Sequence, residues 1–262
     1  MDTMTRTTTT KRGQVSYGEH GSGPSIAFFH SLLTDRTAFE PVLDGLAGRA
    51  LLFDLPGFGA TAPETDLDGF ADSMAAAITS VCDDETRVTV VGNGLGAFVA
   101  LGLAARHPDL VGKLLLVGCG ATFPEEARPA FGNMAGLVEE NGMEAVTPIA
   151  LRRIFTEEYL SQHPEAAAER GEVLARTEPT AFMTACLALR SVDFTEQAPS
   201  IDMPVLIVVG DRDAATPPAM AEELDSLLPN SRMVTLPGIA HAPQLQDPPG
   251  FLEAVVDFLE ES

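Results

Sequence analysis

The fold is decided by the stretch Val88-Thr-Val-Val-Gly92-Asn93-Gly94-Leu95-Gly96-Ala-Phe-Val-Ala-Leu-Gly-Leu-Ala-Ala-Arg-His107. Its first residues are apolar and β-branched, which is typical of a strand that is buried on both faces of a parallel sheet. Three glycines then interrupt the pattern, and an Ala- and Leu-rich segment with apolar residues at helical spacing follows. The stretch therefore predicts a buried strand, a tight glycine-rich turn and a helix.

This turn resembles a nucleophile elbow, G-x-S-x-G, in which a serine on a strained strand-to-helix turn exposes its hydroxyl. The middle position is Gly94, so the reactive oxygen is missing. A dinucleotide-binding turn is the alternative for glycines after a strand. It needs its third glycine at position 97, which is Ala97, and it belongs to the first strand–helix turn of a chain. We therefore favour the elbow and expect no cofactor.

Composition and charge exclude several classes of protein. The 262 residues carry 16 Lys and Arg against 38 Asp and Glu, a net charge of −22. Such a surface repels nucleic acid and anionic lipid, so we expect neither as a partner. No apolar run is long enough to span a bilayer, and the N-terminus lacks the apolar core of a signal peptide, which predicts a soluble cytoplasmic protein. The three cysteines are far apart and lack metal-ligand spacing, so we expect no metal site.

Alternating strand and helix patterns run along most of the chain and predict an α/β fold with a doubly wound, mostly parallel sheet. Strands are predicted over 14–19, 26–30, 50–54, 88–91, 113–118, 203–210 and 231–236, with a Thr-rich lead-in over 1–12 that pairs as an edge strand and a turn over 20–24. Helices are predicted over 37–47, 68–82, 95–107, 217–228 and 249–260.

From residue 121 to 198 the strand pattern vanishes and helical patterns take over, at about 126–140, 143–155, 164–176 and 179–190. We interpret this block, residues 121–198, as a helical cap inserted between two strands of the sheet. Residues 1–120 and 199–262 then form the core domain. The sequence sets no oligomeric state.

Two polar residues follow late strands of the predicted sheet, where reactive groups of open α/β sheets collect. Asp213 follows the strand that ends at Gly210, and His241 follows the strand over 231–236. The order elbow, acid, histidine is that of α/β-hydrolase triads. A buried carboxylate fixes the tautomer of such a histidine, and we choose Asp213 for this role over Asp211, the alternative.

The loop after the strand over 26–30 is expected to face the elbow. The backbone amides of Leu32 and Leu95 would form an oxyanion hole, since backbone donors do not depend on the side chain. Ser31 is expected to contact substrate, but its loop lacks an elbow to aim the hydroxyl, so we do not expect it to replace the missing nucleophile. Cys119 is expected to fill space as a buried thiol.

Five segments together resemble the α/β-hydrolase superfamily over nearly the whole chain: 30–39, Asp54-Leu-Pro-Gly-Phe-Gly59, the elbow, 213–218 and Gly238-Ile-Ala-His241. The oxyanion loop and the cap segments 153–158 and 184–190 are similar to the 3-oxoadipate enol-lactonase group. The resemblance implies an α/β-hydrolase fold and hydrolysis of a small-molecule ester or lactone through an acyl-enzyme. The glycine at position 94 departs from the family pattern.

Loss of the nucleophile costs a serine hydrolase about 10⁶ in rate, so three interpretations stay open. The chain is a hydrolase that has lost its serine and keeps substrate binding, an enzyme in which His241 and Asp213 activate water or move protons directly, or a small-molecule receptor. Apolar cap residues would meet the substrate, namely Phe123, Phe131, Met134, Phe182 and Met183. Arg190, with Arg152 and Arg153, would meet a substrate carboxylate unless it pairs with a local Glu.

Overall fold

The computed structural model describes residues 3–82 and 87–261 and contains, within these ranges, an eight-stranded sheet. The strands are β1 (Thr5–Thr10), β2 (Gly13–Ser22), β3 (Ser25–Phe29), β4 (Gly48–Phe53), β5 (Val88–Asn93), β6 (Val111–Val117), β7 (Val205–Gly210) and β8 (Ser231–Leu236). Their order across the sheet is β1-β2-β4-β3-β5-β6-β7-β8. β1 and β2 are antiparallel to their neighbours, and all other pairs are parallel, which confirms the predicted α/β fold.

Helices cover both faces of the sheet, so the central strands are apolar throughout. In β5, Val90 packs into the core beneath α1 (Leu67–Val81) and α2 (Leu95–Arg106), whereas Val91 packs into the core on the opposite face. Successive side chains of a strand point to opposite faces, and each face here is shielded from water. This double burial explains why the strand pattern of β5 is continuous rather than alternating.

A five-helix segment follows β6 and precedes β7. It comprises α3 (Pro129–Asn141), α4 (Thr147–Ile154), α5 (Glu157–Gln162), α6 (Pro164–Ala175) and α7 (Pro179–Arg190). The sequence patterns missed α5, a short helix whose start is capped by the Thr156 hydroxyl, which accepts from the amide of Tyr159. After β7 come α8 (Pro218–Leu227), α9 (Pro243–Gln246) and α10 (Pro248–Glu260).

The two ends of the five-helix segment are joined where the chain leaves and rejoins the sheet. The Phe194 amide donates to the Ala121 carbonyl at 2.9 Å, and the Thr122 hydroxyl donates to the Val192 carbonyl at 2.8 Å. The two ends of the segment are therefore fixed to each other. The domain boundaries at residues 121 and 198 stay a prediction.

Two local predictions differ from the structure: strand pairing explains the first difference, and a proline explains the second. The turn predicted over 20–24 is largely strand, because β2 continues to Ser22 and pairs with β4, with Gly21 opposite Arg49. The segment predicted as a helix over 37–47 is a 3₁₀ helix over Arg36–Gly45. Pro41 lies inside it and lacks the amide that an α-helix would use there.

Candidate active site

The turn between β5 and α2 has the backbone that an elbow requires. Gly94 has φ 54° and ψ −116°, a region that side chains disfavour strongly. At the flanking positions, Gly92 and Gly96, glycine is required because a side chain would have no room. A Cβ on Gly96 would lie 2.1 Å from the carbonyl oxygen of Phe29, and one on Gly92 would lie 2.4 Å from the carbonyl oxygen of Gly96. The turn thus brings the start of α2 directly against the end of β3.

His241 and Asp213 meet beside this turn. His241 Nδ1 lies 2.8 Å from Asp213 Oδ2, and both side chains are almost fully buried. Asp213 also accepts hydrogen bonds from the amides of Ala215 and Thr216 and from the Thr216 hydroxyl, at 2.8, 2.9 and 2.8 Å. Burial raises the pKa of Asp213, but His241 and these hydrogen bonds outweigh it, so the pKa lies below its ordinary value. The carboxylate is therefore ionised and fixes Nδ1–H of the imidazole.

Asp211, the alternative acid, lies elsewhere. Its Oδ1 accepts a hydrogen bond from the Gly238 amide at 2.7 Å, and its side chain is 41% exposed. Asp211 therefore holds the turn that precedes His241, whereas Asp213 contacts the imidazole itself.

Two side chains fill the space beside Gly94. A Cβ on Gly94 would lie 2.6 Å from His241 Nε2 and 2.7 Å from the Ser31 hydroxyl oxygen. These two atoms are 3.4 Å apart, a long hydrogen bond. Because Nδ1 carries the proton shared with Asp213, Nε2 is the acceptor and Ser31 is the donor. The imidazole and the Ser31 hydroxyl occupy the space that a side chain at position 94 would need.

The amides of Leu32 and Leu95 lie in segments that line the same cavity as Gly94 and His241. Leu95 opens α2, so its N–H has no acceptor within the helix. Across residues 3–82 and 87–261, neither amide donates to a protein oxygen. Two free backbone donors therefore border the cavity, which is what an oxyanion hole requires.

His30 holds the loop that carries Ser31 and Leu32, a role that the sequence analysis missed. Its Nδ1 donates to the Ser31 carbonyl at 2.8 Å, and its Nε2 accepts from the Leu55 amide at 3.1 Å. Complete burial lowers the pKa of His30, so the ring is neutral and these two bonds fix its tautomer. A histidine directly after a buried strand was the signal in the sequence.

Asn93 and Gln244 were also missed, and they position His241. The Asn93 side-chain amide donates to the His241 carbonyl at 2.9 Å and to the Val117 carbonyl at 3.2 Å. Gln244 Nε2 in turn donates to Asn93 Oδ1 at 3.1 Å. Asn93 is fully buried. A buried amide immediately before Gly94, at the end of an otherwise apolar strand, was a signal that could have been found.

The cavity is narrow and mostly apolar. Its volume is about 30 Å³, room for about two water molecules. The walls beyond the elbow and Ser31 are formed by Leu33, Phe98, Phe123, Phe131, Met134, Arg153, Leu189, Ala215 and Thr216. Phe123, Phe131 and Met134 thus lie where the sequence analysis expects them, whereas Phe182 and Met183 do not line the cavity.

Arg190 does not reach the cavity, which corrects its predicted contact with substrate. Leu189 faces inward from α7, and the next residue of a helix points about 100° away. Arg190 is therefore exposed in a separate surface groove beside Glu125 and Arg128. Arg153 on α4 lines the cavity instead, is half-buried, and forms no ion pair with any residue that the structure describes.

Cys119 is fully buried, and it does not line the cavity. Burial raises the pKa of its thiol, so it is not a nucleophile. Within residues 3–82 and 87–261, no three His, Cys, Asp or Glu side chains come together to bind a metal ion.

The arrangement supports acid–base chemistry. An ionised Asp213 holds His241 through Nδ1, and His241 lines a cavity bordered by two free amides. The imidazole can accept a proton from a hydroxyl or a water, and the amides can stabilise a developing oxyanion.

Comparison with known proteins identifies the family. The sequence model of the alpha/beta hydrolase family matches residues 20–254. The chain belongs to the α/β-hydrolase family. Within it, the chain is 34% identical over 254 residues to a pimeloyl-[acyl-carrier protein] methyl ester esterase of Neisseria meningitidis serogroup C, covering 92% of the chain and 91% of the relative. A protein of the same name from Chromobacterium violaceum is 29% identical, covering 92% and 96%.

Solved structures of α/β-hydrolases share the architecture. The enol-lactonase from Burkholderia xenovorans LB400 superposes with a TM-score of 0.89 at 24% identity, covering 98% of this chain and 100% of the other. A thermophilic esterase from Thermogutta terrifontis gives 0.86 at 23% identity, covering 98% of each chain. The predicted α/β-hydrolase fold is confirmed. No helix in the described part of the chain has the length and apolar character needed to cross a membrane.

Proposed function

We propose that this α/β-hydrolase binds a small-molecule carboxylic ester or lactone, and that Gly94 disables covalent catalysis by a serine at the elbow. The observation that carries the proposal is the assembled His241–Asp213 pair beside Gly94, with two free amides on the same cavity. The relatives named as methyl ester esterases support ester chemistry. The ligand is a small molecule, and no nucleic acid, membrane or cofactor is invoked.

Catalysis without an elbow serine is expected to be weak. Removing the nucleophile of a serine hydrolase raises the barrier by about 8 kcal/mol, since it costs on the order of 10⁶ in rate. Substrate binding and the oxyanion donors still accelerate the reaction roughly 10³–10⁴-fold over the uncatalysed rate. The cavity admits water, and His241 Nε2 is placed to accept a proton from it. Direct base catalysis by His241 and Asp213 is therefore the second candidate.

Arg153 suggests the kind of substrate. It is a cationic side chain in a mostly apolar lining, and it has no ion pair among the described residues. A half-buried guanidinium without a carboxylate partner favours a ligand that supplies one. We therefore infer that the preferred ester or lactone carries a second, free carboxylate. The cavity must widen to admit it, and the proposed cap over 121–198 supplies much of the lining: Phe123, Phe131, Met134, Arg153 and Leu189.

A ligand panel tests the proposal. Small lactones and p-nitrophenyl esters, each with and without a terminal carboxylate, are measured for binding by calorimetry and for turnover with the native protein. We expect binding that prefers the carboxylates. Arg153→Ala should abolish this preference, whereas its matched control Arg190→Ala should retain it. Absence of binding across the panel would refute the proposal.

Turnover then separates the alternatives. Loss of turnover in His241→Ala, with binding retained, supports base catalysis. Binding without turnover in the native protein indicates a receptor.

A cytoplasmic location stays a prediction of the sequence.

A further inference from the structure

We propose that Ser31 supplies the hydroxyl that position 94 lacks, so that Asp213, His241 and Ser31 form a displaced catalytic triad. This inference rests on the proposed ester or lactone chemistry. The Ser31 hydroxyl oxygen lies 3.4 Å from His241 Nε2, the imidazole nitrogen that faces away from Asp213. It also lies 2.7 Å from the position of a Cβ on Gly94. The oxygen is therefore beside the place where an elbow side chain would stand.

Other nucleophile candidates near the imidazole are less suitable. The Thr216 hydroxyl lies 3.2 Å from Nδ1, on the carboxylate side, and donates to Asp213. The Cys119 thiol is fully buried outside the cavity lining, and burial raises its pKa. Ser31 lines the cavity, and in the described part of the chain His241 is the hydrogen-bond partner of its hydroxyl.

The Ser31 loop is held rigidly although it is not an elbow. The Ser31 carbonyl accepts from His30 Nδ1 at 2.8 Å and from the Thr34 amide at 3.2 Å. The Ser31 amide donates to the Thr34 hydroxyl at 3.1 Å. Three hydrogen bonds thus fix the backbone of one residue, and His30 is itself fixed by Leu55. The absence of an elbow, which argued against Ser31 from sequence, is offset by this network.

Ser31, His241 and the backbone amides of Leu32 and Leu95 can carry out ester hydrolysis with water as the second reactant. The Ser31 oxygen attacks the carbonyl carbon, and its proton passes to His241 Nε2. The carbonyl oxygen becomes an oxyanion next to the amides of Leu32 and Leu95. Collapse breaks the bond to the alkoxide, which takes the proton from His241 and leaves an acyl ester on Ser31. Water, deprotonated by His241, then hydrolyses that ester and restores the serine.

The 3.4 Å separation exceeds the usual reach of a nucleophile–base pair, about 2.6–3.2 Å, and such pairs are often looser without substrate. We expect Ser31→Ala to lower ester turnover at least about 100-fold, the smaller end of the usual effect of a positioned base on a nucleophile. Binding of a lactone or ester should change little.

A fluorophosphonate probe, which phosphonylates activated serines, tests the proposal. After incubation with the native protein, intact mass and fragmentation of the peptide carrying residues 13–36 locate the adduct. We expect one adduct on Ser31, none in Ser31→Ala, and none in His241→Ala. Ser31→Cys places a thiol of similar size at position 31, and iodoacetamide should alkylate it. This alkylation should be slower in the double variant Ser31→Cys with His241→Ala, because the imidazole that activates the thiol is missing.

The double variant Gly94→Ser with Ser31→Ala is the positive control, because it restores the elbow hydroxyl and removes one of the two atoms that would crowd it. Labelling of the double variant at position 94, with no labelling of Ser31 in the native protein, overturns the Ser31 proposal and leaves the proposed function standing. Labelling of neither protein also overturns the Ser31 proposal, and binding in the ligand panel then decides the proposed function. An adduct on another residue of the native protein also overturns the Ser31 proposal.

Discussion

Gly94→Ser is the perturbation that the structure describes most fully. It places a Cβ on a residue with φ 54° and ψ −116°, a backbone conformation that costs a non-glycine residue about 1–3 kcal/mol. The lower entropy of the unfolded serine chain returns about 0.4–1 kcal/mol. The new Cβ would lie 2.6 Å from His241 Nε2 and 2.7 Å from the Ser31 oxygen, but both are ends of side chains and can shift.

With the middle of each range, the net cost of this substitution is about 1.3 kcal/mol, which lowers the Tm by about 3–5 °C for a chain of this size. The hydroxyl of the new serine should also form a hydrogen bond to His241 Nε2. We expect kcat/KM on p-nitrophenyl esters to rise at least about 10³-fold, equivalent to about 4 kcal/mol of transition-state stabilisation. Calorimetric melting and an ester assay at saturating and limiting substrate measure the two effects.

Gly94→Ala is the matched control, because it adds the same Cβ without the hydroxyl. It should lose the same stability and gain no activity. A serine variant as stable as the native protein would refute the backbone argument. A folded serine variant that stays silent on every ester and lactone would show that the surrounding groups do not form a hydrolase site.

Three further outcomes follow from other contacts. Asn93→Ala should lower the free energy of unfolding in urea by about 1–3 kcal/mol, because the carbonyl of His241 is left without its buried donor; an unchanged midpoint contradicts this. The pKa of His30 lies below its ordinary 6.5, so the free energy of unfolding should fall as the pH drops below 6.5. His30→Gln should make the free energy of unfolding, measured in urea melts at pH 5–7, depend less steeply on pH. The same pH dependence in both proteins contradicts this prediction. Iodoacetamide should modify partly exposed Cys82 in the folded protein and spare Cys119, as read by peptide mass; equal labelling contradicts the burial argument.

The sequence was informative wherever one local pattern determines the structure. The apolar run of β5 and the glycines after it predict the strand, the turn and α2 because each is a short-range consequence of burial and backbone space. Glycine at positions 92 and 96 is required by contacts made within the same turn and with β3. The order of Asp213 and His241 after late strands likewise predicted that they approach the elbow, since parallel strands end at one edge of the sheet.

Only the tertiary structure decided which side chains face the cavity. Arg153 lines it and Arg190 does not, because the packing of α4 and α7 fixes the rotation of each helix, which the sequence pattern leaves open. The sequence also did not predict that the side chains of Ser31 and His241 fill the space beside Gly94. Ser31 and His241 are 210 residues apart, and their contact exists only because β3 and the end of β8 reach the same edge of the sheet. Local periodicity determines elements, whereas the meeting of distant loops depends on how all the elements pack together.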